Sequence, residues 1–263
     1  MTAYLIDSHC HLTSDDLYGG IDGVIARAAA AGVRQMVTIA TDAADARRAL
    51  ALSARFANVH VACGVHPHEA DRSTAGWDSQ LWDLVRRPEV LAVGETGLDY
   101  HYDFSERAAQ QRVFRRQLEI AADVHKPVII HCREAHVDTL AALRDAHVEA
   151  DVVFHCFTGS EGEAREILDA GYWISLTGVV TFKKSEGLRA VARLIPPERL
   201  MMETDCPYLS PEPLRNVRPN EPARLVHTAR CIAEARGLTI DQLAELTTGN
   251  ARRFFSMPDA GAA

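Results

Sequence analysis

The chain has 263 residues, of which 47% are hydrophobic and 24% charged, with a formal net charge of −8. This composition excludes a disordered chain. The negative balance excludes a protein held to nucleic acid over its whole surface, because phosphate neutralisation supplies most non-specific affinity, yet it leaves room for a nuclease whose cations are gathered in one pocket.

Short β-branched runs alternate with amphipathic stretches along the chain. No basic leader or long uncharged apolar run marks a signal peptide or membrane span, so a cytoplasmic protein with no membrane partner is expected. The first predicted strand is Tyr4–His9, followed by an Ala-rich helix over Asp22–Ala31 that Gly32 stops. Val33–Thr41 is the second strand and Asp42–Phe56 the second helix, with Asp42 as N-cap. Val59–Val65 is the third strand, and its helix, about Trp77–Arg86, ends before Pro88. Val90–Glu95 is the fourth, and Ser105 is expected to cap the long helix running to Val124. Pro127–His131 is the fifth strand, with proline at a tolerated first position, and Val137–Ala146 its helix. Three further pairs follow: Val152–His155 with Glu161–Ala170, Tyr172–Leu176 with Glu186–Leu194, and Leu200–Glu203 with Pro222–Arg236. A helix pair, Ile240–Leu246 and Asn250–Phe255, closes the chain.

Eight such alternations predict an α/β protein of one domain over residues 1–263, a single (β/α)8 TIM barrel with a C-terminal helical extension. The length agrees, since such barrels take roughly 250 residues. An open doubly wound sheet is the alternative, but no Gly-rich dinucleotide loop follows any strand.

Barrel enzymes carry their chemistry at the C-terminal ends of the strands. Those ends read His9 and His11, His66, Glu95, His131, His155 and Asp205. Alternation along a strand puts His9 and His11 on one face. Any one of these could be a core histidine bonded to a carbonyl. The recurrence of the same residue classes at strand after strand is what points to metal. His9, His11, Glu95 and Asp205 are expected to hold one divalent ion, and Glu95, His131 and His155 a second, with Glu95 bridging. The mixed nitrogen and oxygen donors suit Mg, Mn or Zn, and the lack of thiolates argues against a structural zinc. Two such ions can generate hydroxide from water and clamp both oxygens of an in-line displacement. Asp205 is expected to accept that water's proton, and Glu95 to act with it in catalysis. The six cysteines show no CxxC pair. Four of them follow His9, His131, His155 and Asp205, where strand alternation turns them to the helix layer as small buried hydrophobes, neither ligands nor disulfides.

The motifs His9-Cys10-His11, Gly64-Val65-His66-Pro67, Gly94-Glu95-Thr96-Gly97-Leu98-Asp99-Tyr100, His131-Cys132-Arg133, His155-Cys156-Phe157-Thr158-Gly159, Glu203-Thr204-Asp205-Cys206-Pro207 and Asn220-Glu221-Pro222 resemble the ordered series of the TatD family. The resemblance covers almost the whole chain. It implies a metal-dependent hydrolase of the amidohydrolase superfamily, with deoxyribonuclease activity as in several members, and the same six metal ligands. DNA is then the expected substrate, with RNA or a small phosphate ester as the alternatives. One departure is Pro219, which separates Arg218 from Asn220 where the family reads Arg-Asn-Glu-Pro.

Many binuclear relatives bridge their metals with a carbamylated lysine after the fourth strand. Here the lysines are Lys126, Lys183 and Lys184, none near that strand, so Glu95 takes the place. His66 and Arg133 are expected to bind a substrate phosphate, Arg133 as a fork. Lys183, Lys184, Arg215 and Arg218 would ring the catalytic face, and Glu203 would support Asp205 from below. Tyr100, His101, Tyr102 and Phe104 crowd one loop, available either to stack on a base or to pack on neighbouring loops. The rival reading keeps the metal site and changes the bond to an amide, ester or aminoacyl one, since the same hydroxide attacks a carbonyl.

Overall fold

The computed structural model describes residues 3–257. Eight strands stand in chain order in one sheet: β1 (Leu5–Cys10), β2 (Val33–Ala40), β3 (Val59–Cys63), β4 (Val90–Asp99), β5 (Val128–Arg133), β6 (Val152–Phe154), β7 (Trp173–Leu176) and β8 (Leu200–Met202). Between and after them lie α1 (Asp15–Tyr18), α2 (Ile21–Ala30), α3 (Ala43–Arg55), α4 (Trp77–Val85), α5 (Arg107–Val124), α6 (His136–Asp145), α7 (Glu161–Asp169), α8 (Glu186–Leu194), α9 (Leu225–Arg236) and α10 (Ile240–Phe255). The pairings β3–β4, β4–β5, β5–β6 and β7–β8 are parallel. Parallel neighbours require a crossover, which the helices supply, and strands covered on both faces need the continuous apolar runs seen in the sequence. The architecture is the (β/α)8 barrel.

The chain forms two compact units, Met1–Val37 with Cys156–Ala263, and Thr38–His155. In the first, β1 lies beside the segment after β8: Asp205 N–H donates to His9 O at 3.0 Å and His11 N–H to Cys206 O at 2.8 Å. Helix α10 is tied to the starts of the same strands. Thr248 Oγ1 donates to Tyr4 O, and Asn250 Nδ2 donates to both Pro197 O and Leu200 O, each at 2.7 Å. In the second unit, Asp42 caps α3 as expected, accepting from the N–H groups of Ala44 and Asp45. Lys126 Nζ donates to Arg87 O and Val90 O at the start of β4, the end of the strand remote from Glu95.

Three local expectations are corrected. The closing helix pair is one continuous helix, because Gly249 in its middle costs only about 1 kcal/mol, less than burial of Leu243, Phe254 and Phe255 contributes. Ser105 does not cap α5, whose N-cap is Glu106; its hydroxyl instead accepts from Asp71 N–H and donates to His68 O. Strand β4 does not stop at Glu95 but runs four residues further, to Asp99.

Candidate metal centre

In the first unit, His9 and His11 project from the same side of β1, their Nε2 atoms 3.3 Å apart. Asp205 follows β8 with a left-handed φ of 52°, and its Oδ1 lies 3.3 Å from His11 Nε2 and 3.7 Å from His9 Nε2. Two neutral imidazoles facing each other beside one carboxylate oxygen have more lone pairs than protons to share. A cation fits that donor set. Asp7 holds the arrangement from behind, accepting the backbone N–H of Thr204 at 2.9 Å and its hydroxyl at 2.5 Å. Complete burial pushes the Asp7 carboxyl up to about 7 despite those bonds. Asn220 Nδ2 donates to Thr204 O and Tyr208 O, clamping the segment that carries Asp205 from both sides. Glu203 accepts the N–H of Cys156 at 2.6 Å and the Ser8 hydroxyl at 3.3 Å.

In the second unit, the β4–β5 register passes from Val93↔Val128 to Thr96↔Ile130, so β4 carries one extra residue, a bulge at Gly94–Glu95. Close approach of the strands depends on glycine there. Gly94 and Gly97 have φ of +143° and +140°, and a Cβ on Gly97 would lie 2.0 Å from His131 O. The re-aimed Glu95 Oε1 meets His155 Nε2 at 2.6 Å, His131 Nδ1 at 2.7 Å and His66 Nε2 at 3.3 Å. Three imidazole nitrogens on one carboxylate oxygen exceed its two lone pairs. Burial alone would raise the Glu95 carboxyl, but the histidines hold it well below the usual range. Glu95, His131 and His155 form a second donor set of the right chemistry for a divalent ion.

Tautomers separate ligand from support. His66 Nδ1 accepts from His68 N–H at 3.1 Å, so its proton sits on Nε2 and points at Glu95. Burial drives its pKa down to about 4, keeping the ring neutral. His131 Nε2 lies 2.9 Å from Asp99 Oδ2, and a proton there leaves the Nδ1 lone pair facing Glu95 and any ion beside it. Burial depresses His131, but hydrogen bonds to Asp99 and Glu95 raise it above the ordinary value. Asp99 Oδ2 also meets His68 Nε2 at 2.9 Å. Its carboxyl, which burial would raise, is held well below the usual range by the two histidines. Asp99 and His68 join the candidate cluster through His131 and were missed by reading strand ends; the signal was Asp99 recurring at even spacing after Glu95, had the strand been extended.

The remaining predicted residues are dispersed. Arg133 is exposed at the end of β5, its guanidinium 4.7 Å above the Tyr102 ring. Lys183, Lys184 and Arg218 are exposed, and Arg215 lies over Phe182 at 4.1 Å. Of the four cysteines expected to be buried, Cys10 and Cys206 are, whereas Cys132 at the end of β5 and Cys156 after β6 are half-buried; Cys63 is buried and Cys231 half-buried. All six are free thiols. Asp7, Cys10 and Cys206 also lie close together, but burial pushes Asp7 and Cys10 toward their neutral forms, which suits a packed hydrogen-bonded cluster.

Histidine and carboxylate triads on the strands of a (β/α)8 barrel define a class of metal-dependent hydrolases. Within that class, residues 6–256 match the family model described as TatD related DNase. The chain is 38% identical to a Bacillus subtilis protein called an uncharacterized metal-dependent hydrolase, YabD, covering 95% of this chain and 98% of that one. It is 37% identical to the 3′-5′ ssDNA/RNA exonuclease TatD of Salmonella typhimurium, over 96% of this chain and 99% of that one. The crystal structure of the TatD homologue YjjV from Escherichia coli superposes with a TM-score of 0.93 at 30% identity, covering 98% and 100% of the two chains. The chain belongs to the TatD family and is a metal-dependent hydrolase. Among the described residues, no helix is long and apolar enough to cross a membrane.

Proposed function

We propose that this hydrolase cleaves phosphodiester bonds in single-stranded nucleic acid. Two divalent ions serve it, one on His9, His11 and Asp205 and one on Glu95, His131 and His155. The observation that carries the reading is the crowding of three imidazoles onto Glu95, with Asp99 fixing the His131 tautomer, in a chain so similar to a named exonuclease. When bound, such ions lower the pKa of water and neutralise charge that develops on phosphate oxygens.

The side chains do the rest. Water attacks phosphorus as Asp205 takes one of its protons, the P–O bond to the leaving group breaks, and that proton passes to the leaving oxygen, giving a phosphate monoester and a free hydroxyl. Glu95 keeps its negative charge through the reaction, with the His66 Nε2–H donating to it and a cation held beside His131 and His155 to balance it. His66 holds Glu95 in place with its Nε2–H, on the edge where a phosphate would approach. Arg133, exposed beyond His131, presents a guanidinium fork to a phosphate oxygen.

The test uses purified protein, a labelled single-stranded oligonucleotide and titration with Mg, Mn and Zn. Chelation should abolish cleavage, and added metal should restore it with two equivalents bound. His131→Ala/His155→Ala protein should bind one equivalent fewer and cleave at least about a hundredfold more slowly. Undiminished cleavage by that variant would overturn the assignment, and so would strong hydrolysis of esters or amides with none of the oligonucleotide.

A further inference from the structure

Two of the most exposed aromatic residues in the protein stand side by side in the loop after β4. Tyr102 is 47% exposed and Phe104 67% exposed. Their rings stack with centroids 5.3 Å apart and planes within 5°. Exposed rings order the water around them, and two side by side make a contiguous apolar patch of the kind that marks an interaction site.

The loop is not a floppy excursion. Asp99 Oδ1 accepts the N–H groups of His101 and Tyr102 at 3.0 and 2.9 Å. Gln110 Nε2 donates to Asp99 O and Ser105 O, and Ser105 anchors the far end to His68 O. The rings are therefore held before any partner arrives, which removes much of the ordering entropy from binding. Phe104 meets the His68 ring edge-on at 4.8 Å, and His68 shares the Asp99 oxygen that orients His131. Arg133 lies over Tyr102 at 4.7 Å. A flat apolar platform, a guanidinium and the Glu95 cluster thus adjoin within one unit.

We propose that Tyr102 and Phe104 form a stacking platform for one nucleobase of a single-stranded substrate, with Arg133 engaging the phosphate next to it. This rests on the nucleic-acid reading above and gives it a base-binding subsite. Phe104, stacked on Tyr102 with two-thirds of its surface exposed, is the ring that would carry the base. Stacking accepts every base, because each has a π-face, so the platform confers preference for unpaired strands and not for a sequence. A duplex, whose bases are already stacked, cannot use it.

The experiment takes the full chain with its metal and a phosphorothioate-linked single strand that resists cleavage and carries 2-aminopurine. Binding should quench the fluorophore. Phe104→Ala should weaken binding by about tenfold and Tyr102→Ala/Phe104→Ala by more, within the range expected for loss of one stacked base, while metal content stays unchanged. Tyr102→Phe and Phe104→Trp should restore binding, and an abasic strand should be indifferent to all four substitutions. Equal affinity and quenching in the double alanine variant would overturn the platform, as would failure of the wild type to bind. Cleavage of ordinary oligonucleotide is scored separately. Cleavage without aromatic dependence removes the platform alone, and stacking without cleavage removes the phosphodiesterase reading alone.

Discussion

Asp99 is fully buried and divides its two oxygens between two tasks. Oδ2 receives His131 and His68, while Oδ1 holds the backbone of the aromatic loop. An asparagine has one acceptor oxygen, so Asp99→Asn must either face an NH2 group toward His131 or release the loop. We expect about a ten- to hundredfold loss of affinity for one of the two proposed ions, the effect typical of removing a carboxylate behind a histidine ligand. Metal competition with a chromophoric chelator measures it, and unchanged affinity for both ions would refute the positioning role. At this scale the sequence was informative where residue type and strand end coincided: His9, His11, Glu95, His131, His155 and Asp205 all fall into two tight clusters. Asp99 and His68 escaped because their roles depend on where the strand continues and on a 310 turn after Pro67, neither of which residue type reveals.

The element that sets this geometry is the bulged strand β4. An extra residue at Gly94–Glu95 changes which side chains face His131, and strand counting cannot anticipate an inserted residue. The glycines beside it carry the consequence. Gly97→Ala would place a methyl 2.0 Å from His131 O at a φ that side chains rarely adopt. We expect a loss of at least about 2–3 kcal/mol in stability together with weakened binding of the ion proposed for Glu95, His131 and His155. Gly249→Ala is the internal contrast. It sits in α10, where beyond the helix's own neighbouring backbone nothing lies within 4 Å of the added methyl, and should stabilise by about 0.5–1 kcal/mol. Denaturant midpoints of the two variants check both signs, and similar midpoints would show that the β4–β5 approach is more compliant than the geometry implies. The eight alternations themselves were readable because strands covered by helices need unbroken apolar runs. The ends were not, because the last turns and strand tips are set by tertiary bonds such as those of Ser105 and Asn250.

For the whole molecule, the net charge of −8 constrains how a polyanion can be held. A surface that neutralised many phosphates would show steep salt dependence, because each contact releases counterions from the strand. This chain has no such surplus of cations; Arg133 is an exposed guanidinium over Tyr102, and Arg107 in the same loop region is paired with Asp103. On the proposed reading, affinity for a single strand comes from metal–phosphate contact and stacking more than from diffuse attraction. With one or two phosphates neutralised by side chains, log K should fall with log salt at a slope of about −0.7 to −1.4, or about three- to sevenfold between about 50 and about 200 mM. Arg133→Ala should lower that slope by roughly one contact's worth, about 0.7, while Phe104→Ala should weaken binding equally at every salt concentration. Titrations of the cleavage-resistant strand at several ionic strengths separate the two contributions. A slope steeper than about −3 in the wild type would mean that a broader cationic track holds the strand, and the division of labour between stacking and charge would fail.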